Sequence, residues 1–554
     1  MDDRPTVYQL VAETLARLGH RRVFGLLGSG NFKLADHLVR HCGGQCVWVR
    51  HEAAAVAAAD AYAQVTHGLG VATVHQGPGF TNTLTSLTQA VKERTPLLLV
   101  AGDTARGKRV SQALDLDAIA GATGAAVEHV QSATTAAKDA ARATARAQRE
   151  RIPVVLPLPI DLQEERGERR SPEPLGSLNA PRSRPAAADV EAVADLVQRS
   201  ERPVVLAGRG AVLAGARTSL EALGDRIGAL FATSLRANGL FAGNPRSLGV
   251  CGGFSSALAE RVMPQADLVL AFGAGLNQWT TMHGSMLAGA GAGVVQCDAD
   301  PVAIGRHRPV RLGLVGDAAE SADALLAELE RRDFRSDGFR GGELEAELRS
   351  YSAADDYVEE PGEDTIDPRS LVVEIDRLLP RERAIAYDGG HFHWFPTAYL
   401  SVPDADAFVP AQGFQSVGLG LGTAIGAAVA HPERPVLALI GDGGAMMSLG
   451  ELDSITAQGL RVLIAIFNDA AYGAEVHHFG PLGLPTDLVE FGDRDFAAIA
   501  TALGARAATV RSTADVAGPV EAWLADPGGP LVLDCKVNPQ VRAERLAEAF
   551  KGGA

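Results

Sequence analysis

Residues 434–475 read RPVLALIGDGGAMMSLGELDSITAQGLRVLIAIFNDAAYGAE. The stretch opens with an apolar run, Pro435 to Ile440, that stops at Gly441-Asp442-Gly443-Gly444, the pattern of a buried strand ending in a tight turn. A helical pattern follows from about Ser448 to Gln458, and a second apolar run, Val462 to Phe467, ends at Asn468-Asp469. Strand, crossover helix and strand predict a βαβ unit with parallel strands, so Asp442 and Asp469 emerge at the carboxyl edge of one sheet. Open α/β sheets bind ligands at that edge. Two oxygen-bearing side chains there, with glycines that let backbone N–H groups approach a phosphate, suit a hard cation bridging to a diphosphate. Mg2+ prefers such a site, taking one or two carboxylates plus phosphate oxygens and water. A bare Gly-Asp-Gly is ordinary turn chemistry; the polar pair at the end of the next strand is what singles this one out.

Working outward, the same alternation of helix and apolar strand recurs along the 554 residues, a length that calls for about three domains. The first, residues 1–165, has strands at Val23 to Leu26, Gln45 to Val49, Val71 to Val74, Pro96 to Ala101 and Pro153 to Pro157. Arg50-His51-Glu52 opens an alanine-rich helix whose small residues predict close packing against another helix, a second subunit being one source of it. A Pro-, Arg- and Ser-rich segment, 164–188, reads as a linker. The second domain, 189–332, has strands at Pro203 to Ala207, Ala229 to Ala232, Leu268 to Phe272 and Val294 to Cys297. Its Gly208-Arg209-Gly210 turn lacks the third glycine of a dinucleotide fingerprint. A polar stretch over 331–367 leads to the third domain, 366–540, which contains the quoted unit, ends with a strand at Pro530 to Cys535, and echoes the first. The tail from Ala543 reads as a short helix with a frayed end. The predicted fold class is α/β: three Rossmann-like, doubly wound parallel-sheet domains with helices on both faces.

Composition narrows the function. A formal charge of -16 and the absence of a long basic run argue against a nucleic-acid surface. The amphipathic N-terminus is unlike a signal peptide, and no apolar run reaches membrane-spanning length. Five scattered cysteines, without zinc spacing, fit a cytoplasmic protein with reduced thiols. A small-molecule partner is the expectation.

Gly-Asp-Gly followed by Asn468-Asp469 and then Tyr472-Gly473 resembles the diphosphate and metal motif of thiamine-diphosphate-dependent enzymes of the acetolactate synthase and benzoylformate decarboxylase type. That resemblance implies Mg2+ held by Asp442, Asp469 and the carbonyl of Ala471, with aspartate standing where the family's second asparagine is usual. It further implies a cofactor cradle from Gly389, Gly390, His391, Gln415, Val417, Gly441, Gly443, Gly444 and Tyr472. Val417 takes the place of the apolar residue that wedges the cofactor's rings, and the Gln415 carbonyl accepts from the 4′ amino group. Arg-His-Glu, with a Gly-Pro-Gly turn and Thr81-Asn82 downstream, resembles the family's activating helix. Glu52 would then hydrogen-bond N1′ of the aminopyrimidine and so ready the 4′ nitrogen to take the proton from C2 of the thiazolium. In this family the glutamate and the metal site facing one cofactor come from different subunits, so the resemblance implies a homodimer or homotetramer with pyrimidine-binding, central and diphosphate-binding domains.

For the substrate, Ser29 and His75 align with a serine and a histidine that handle carboxylate and protons in benzoylformate decarboxylase. Of the adjacent His477 and His478, at most one faces the substrate, and His478 is the candidate; with His391 and His393, proton carriers look plentiful. Pro159-Ile160-Asp161, Leu114-Asp115-Leu116 and Gly275-Leu276-Asn277-Gln278-Trp279 stand where acetolactate synthase keeps its lysine, its Phe-Gln-Glu segment and its flavin-binding arginines. These departures argue against FAD. The expected reaction is C–C bond cleavage or formation next to a carbonyl, foremost decarboxylation of a 2-oxo acid with or without carboligation. The alternatives are a non-decarboxylating lyase or carboligase of benzaldehyde lyase or 2-hydroxyacyl-CoA lyase type, taking a 2-hydroxy ketone, and a non-catalytic cofactor-binding regulatory subunit.

Overall fold

The quoted stretch folds as the βαβ pattern predicts. Strands Val436–Gly441 and Val462–Asn468 run parallel, paired from Val436 with Val462 to Gly441 with Phe467. The connection differs in one respect: in place of one helix from Ser448, a short helix Asp442–Met447 starts at the aspartate itself and a second, Gly450–Ala457, follows.

The computed structural model describes residues 4–108, 110–169, 182–287, 293–526 and 528–545. The core of the first linker, 170–181, and the tail from 546 lie outside the described residues. The first sheet contains β1 (Arg22–Gly25), β2 (Gln45–Trp48), β3 (Gly70–Val74), β4 (Leu97–Asp103), β5 (Ala126–Val127) and β6 (Pro153–Pro159). The second contains β7 (Pro203–Ala207), β8 (Leu230–Thr233), β9 (Ser247–Val250), β10 (Leu268–Phe272), β11 (Gly293–Asp298) and β12 (Leu312–Val315). The third contains β13 (Ala384–Tyr387), β14 (Phe408–Pro410), β15 (Val436–Gly441), β16 (Val462–Asn468), β17 (Arg506–Val510) and β18 (Leu531–Lys536). The orders are β2-β1-β3-β4-β6-β5, β12-β11-β10-β7-β8-β9 and β14-β13-β15-β16-β18-β17. Counted from their own first strands, the outer two sheets have one topology. The middle one has the dinucleotide-fold order, 3-2-1-4-5-6, read from its far edge.

Central strands are apolar throughout: all of β3, β7, β10 and β16 is buried. Such continuous runs are what a parallel sheet covered on both faces requires. The five strands that sequence periodicity did not resolve, β5, β9, β12, β14 and β17, all lie at sheet edges. They are short or half-exposed, so they lack the unbroken apolar signature. The polar stretch before the third domain also carries a solvent-facing helix, Gly342–Ser350, with Glu343 and Glu345 in its first turn and Arg349 in its last.

The outer domains share one core. The alanine-rich helix Glu52–Thr66 packs on helix Gly420–Ala430 of the same chain, and each lies between the second and third strands of its own domain. Approach is close: a Cβ on Gly426 would lie 2.1 Å from the Ala58 carbonyl oxygen, and one on Gly422 3.0 Å from Ala54 Cα. The partner that the small residues call for is therefore found within the chain. Residues of both domains, from Phe24 to Ile440 and Ile464, form a single buried cluster.

Candidate active site

The third sheet's carboxyl edge borders a cavity of about 1070 Å³. Every cofactor- and metal-site residue predicted in the third domain, from Gly389 to Tyr472, lines it. Because β15 and β16 are neighbours in register, Asp442 and Asp469 leave their strands side by side. Asp442 is 2 % exposed. Its Oδ1 accepts from the Gly443 N–H at 2.8 Å, while Oδ2 is buried with no hydrogen-bond partner among the described residues. Burial, and then the neighbouring Asp469 charge, push the Asp442 carboxyl up to about 8. Burial likewise lifts Asp469 to about 6, against the pull of the Ala471 N–H. A buried carboxylate pair with an unpartnered oxygen is costly unless a cation compensates it.

The local backbone is bent to suit. Ala470 is in the left-handed region, φ 60°, which turns the chain so that Ala471 and Tyr472 face the cavity. Gly473 follows because a Cβ there would lie 2.4 Å from Asp469 Oδ2. Among the described residues no three His, Cys, Asp or Glu side chains are grouped to hold a metal. A hard divalent ion would therefore take two carboxylates here and complete its shell with carbonyl, water or ligand oxygens, the donor set that Mg2+ favours.

Asp388, at the end of β13, is a positioning residue that the predicted set omitted. Fully buried, it accepts from the N–H groups of Gly389 (2.8 Å), Gly418 (2.8 Å) and Leu419 (3.2 Å). Burial raises it to about 6, and these N–H groups oppose the rise. Its carboxylate pins the Gly389-Gly390 turn to the turn carrying Gln415 and Val417. Gln412 Nε2 adds a second tie, 3.0 Å to the Asp388 carbonyl. Gln415 is itself held left-handed at φ 58°.

The histidines are placed less favourably for proton transfer than the sequence led one to expect. His391 is held well below its ordinary value, first by burial and then by His477; its Nε2 accepts from the Ala543 N–H at 2.9 Å. Burial also lowers His393 and His477, each to about 4. These three are neutral near pH 7. His478 is exposed, its ring 4.7 Å from that of Phe479, and it does not line the cavity, whereas Glu475, on the same helix, does.

Glu52, His75 and Ser29 meet at the carboxyl edge of the first sheet and do not line this cavity. Glu52 opens its helix, 8 % exposed, and Oε2 accepts from Asn82 Nδ2 at 3.0 Å. A Cβ on Gly79 would lie 3.1 Å from His75 Cβ and 3.4 Å from Glu52 Oε1, so the Gly-Pro-Gly turn brings the two side chains together. The Gly28-Ser29-Gly30 turn wraps the imidazole: the Gly30 N–H donates to His75 Nδ1 at 3.0 Å, and Ser29 is exposed beside it. With Nδ1 accepting, the neutral ring carries its proton on Nε2. Gln112 Nε2, also a donor, lies 3.4 Å from that nitrogen and offers it no acceptor, while Gln112 Oε1 accepts from Gln76 Nε2 at 3.1 Å. Sequence reading missed Gln112 and stopped at Leu114-Asp115-Leu116 two residues on; a glutamine outside a periodic element carries no local signal of a contact 37 residues away.

Three family models match this chain: the N-terminal cofactor-binding domain of thiamine pyrophosphate enzymes at residues 5–121, their central domain at 190–325 and their C-terminal cofactor-binding domain at 388–535. Curated relatives include a putative acetolactate synthase large subunit of Mycobacterium tuberculosis, 30% identical over 94% of this chain and 95% of its own. A sulfoacetaldehyde acetyltransferase of Castellaniella defragrans is 28% identical over 92% of this chain and 89% of its own. An acetolactate synthase large subunit of Pyropia yezoensis is 26% identical over 95% and 91%. No helix of the described residues is long and apolar enough to cross a membrane. Three matched domains in order, and the glycine-lined carboxylate pair where the third of them ends its central strands, make this chain a member of the thiamine pyrophosphate enzyme family.

Proposed function

We propose that the protein is a thiamine-diphosphate- and Mg2+-dependent enzyme that cleaves a 2-oxo acid beside its carbonyl and passes the acyl unit to a proton or to a second carbonyl compound. The observation that carries this reading is the buried Asp442–Asp469 pair, with its unpartnered Oδ2, in a glycine-lined cavity. Asp442, Asp469 and the Ala471 carbonyl would hold the cation. The turns at Gly389-Gly390 and Gly443-Gly444 would take the diphosphate, and Val417 would support the rings. When bound, thiamine diphosphate supplies a carbon nucleophile that adds to the carbonyl and accepts the electrons of the bond that breaks. Glu52 would hold a proton at N1′, with Asn82 fixing one carboxylate oxygen and leaving Oε1 free for that contact. His75, its Nδ1 accepting from the Gly30 N–H, would present its Nε2–H as a hydrogen-bond donor to a substrate carboxylate or carbonyl oxygen. Glu52 does not line the cavity of its own chain, and the complete site would form between two copies, in a dimer or tetramer.

A second reading, acyl transfer or ligation without loss of CO2, draws on the names of the relatives, which include an acetyltransferase as well as acetolactate synthases. A panel of 2-oxo acids and 2-hydroxy ketones, with and without aldehyde acceptors, separates the two when products are read by mass spectrometry in the presence of cofactor and Mg2+. CO2 release from a 2-oxo acid supports the first reading. Turnover confined to 2-hydroxy ketones supports the second, and no turnover of any panel member would favour a non-catalytic subunit.

A further inference from the structure

All three domains of one chain converge on Glu93, a residue the chemistry above does not use. It follows the helix Leu84–Lys92 of the first domain and is 3 % exposed. Its Oε2 pairs with two guanidiniums of the central domain, Arg209 Nη1 at 2.7 Å and Arg236 Nη2 at 2.8 Å. On its other side lies the third domain. A Cβ on Gly413 would come within 2.7 Å of Glu93 Oε1, so the carboxylate fills the space where a side chain would otherwise project. Gln89, one turn earlier on the same helix, donates to Glu93 Oε1 at 3.4 Å and accepts from the Phe414 N–H at 2.6 Å. Arg236 reaches the same region, donating to the Pro410 carbonyl at 3.4 Å.

We infer that Glu93 is a positioning residue for the cofactor cradle: with Gln89 it clamps the Gln412–Gly418 turn on one flank, at the border of the cavity, while Asp388 clamps it from behind the cavity wall. The turn needs both. It carries a non-glycine residue, Gln415, at φ 58°, a conformation that persists only where surrounding contacts hold it. The residues it presents to the cavity, Gln415 and Val417, are the ones that would meet the cofactor's rings. The two arginines hold the Glu93 carboxylate in place, as outer partners do for the groups that touch a ligand directly. The first domain of a chain thus sets the shape of the binding surface in the third domain of that same chain.

The inference rests on the reading of the cavity as the thiamine diphosphate site, and the test keeps the two apart. Thiamine diphosphate binding with Mg2+ is measured by calorimetry on the full-length wild type, Glu93→Gln and Gly413→Ala, with hydrogen exchange followed along the chain in the cofactor-free proteins. Glu93→Gln keeps the shape and loses the charge; Gly413→Ala keeps the charge and pushes the turn off it. Expected is a roughly ten- to hundredfold weaker affinity in both variants, the usual effect of losing an outer partner, with faster exchange confined to residues 412–418. Unchanged affinity in either folded variant overturns the inference. So does exchange that rises equally in all three domains, because Glu93 would then be interdomain glue only. A wild type that takes up no thiamine diphosphate refutes the reading of the site instead, and localised exchange at 412–418 would still show the clamp.

Discussion

Asp442 is the residue on which the proposed chemistry turns, and its environment makes a sign-definite prediction. Burial beside Asp469 lifts it to about 8 in the cation-free chain. The folded state then keeps a proton that the unfolded state gives up, so this group's contribution to stability falls as pH rises from roughly 4 towards 8. Asp442→Asn removes the titration. Without divalent cations the variant should therefore match wild type near pH 5 and unfold a few degrees higher near pH 8, as followed by circular dichroism. A variant that is less stable at the higher pH would show that the carboxylate is satisfied by the protein alone. The Gly-Asp-Gly and Asn468-Asp469 motifs were legible because each is local and the two stand on consecutive strands. The state of the histidines was not: nothing in the letters shows that burial lowers His391, His393 and His477 and leaves them neutral near pH 7.

Among the elements, the pairing of helix Glu52–Thr66 with helix Gly420–Ala430 decides how the outer domains meet. Alanine in place of glycine ordinarily gains a helix about 1 kcal/mol. At Gly426 the new Cβ would stand 2.1 Å from the Ala58 carbonyl oxygen, too close to accept without separating the helices. Such overpacking costs about 1–3 kcal/mol, so Gly426→Ala should lower the denaturant midpoint despite its better propensity; a raised midpoint would mean the helices pack more loosely. Central strands could be read from sequence because both of their faces are buried. Edge strands such as Arg506–Val510, with one buried residue in five, could not. Small residues on Glu52–Thr66 announced a close neighbour without saying which one, since Gly422 and Gly426 lie more than 350 positions away.

For the whole molecule, Glu52 is not among the residues that line the cavity, and the proposal that an active centre takes one half from each of two chains can be tested by mixing variants. Glu52→Gln should lower turnover about a hundredfold or more, the scale of a lost proton-transfer partner, and Asp442→Asn should do so by loss of the cation. Mixed and allowed to exchange subunits, the two inactive variants should recover about a quarter of wild-type turnover, because half of the random dimers would pair one intact Glu52 with one intact Asp442 in a twofold arrangement. No recovery despite proven exchange would place both residues in a site made by one chain.

Calorimetric titration of thiamine diphosphate into the metal-free protein, with and without Mg2+, asks for no known substrate and reaches the central claim directly. Wild type should take up one cofactor per chain only when the cation is present, and Asp442→Asn should take up none under either condition. Uptake by the variant equal to that of wild type, or no uptake by wild type with Mg2+, would contradict the assignment of the Asp442–Asp469 edge as the cofactor's anchor.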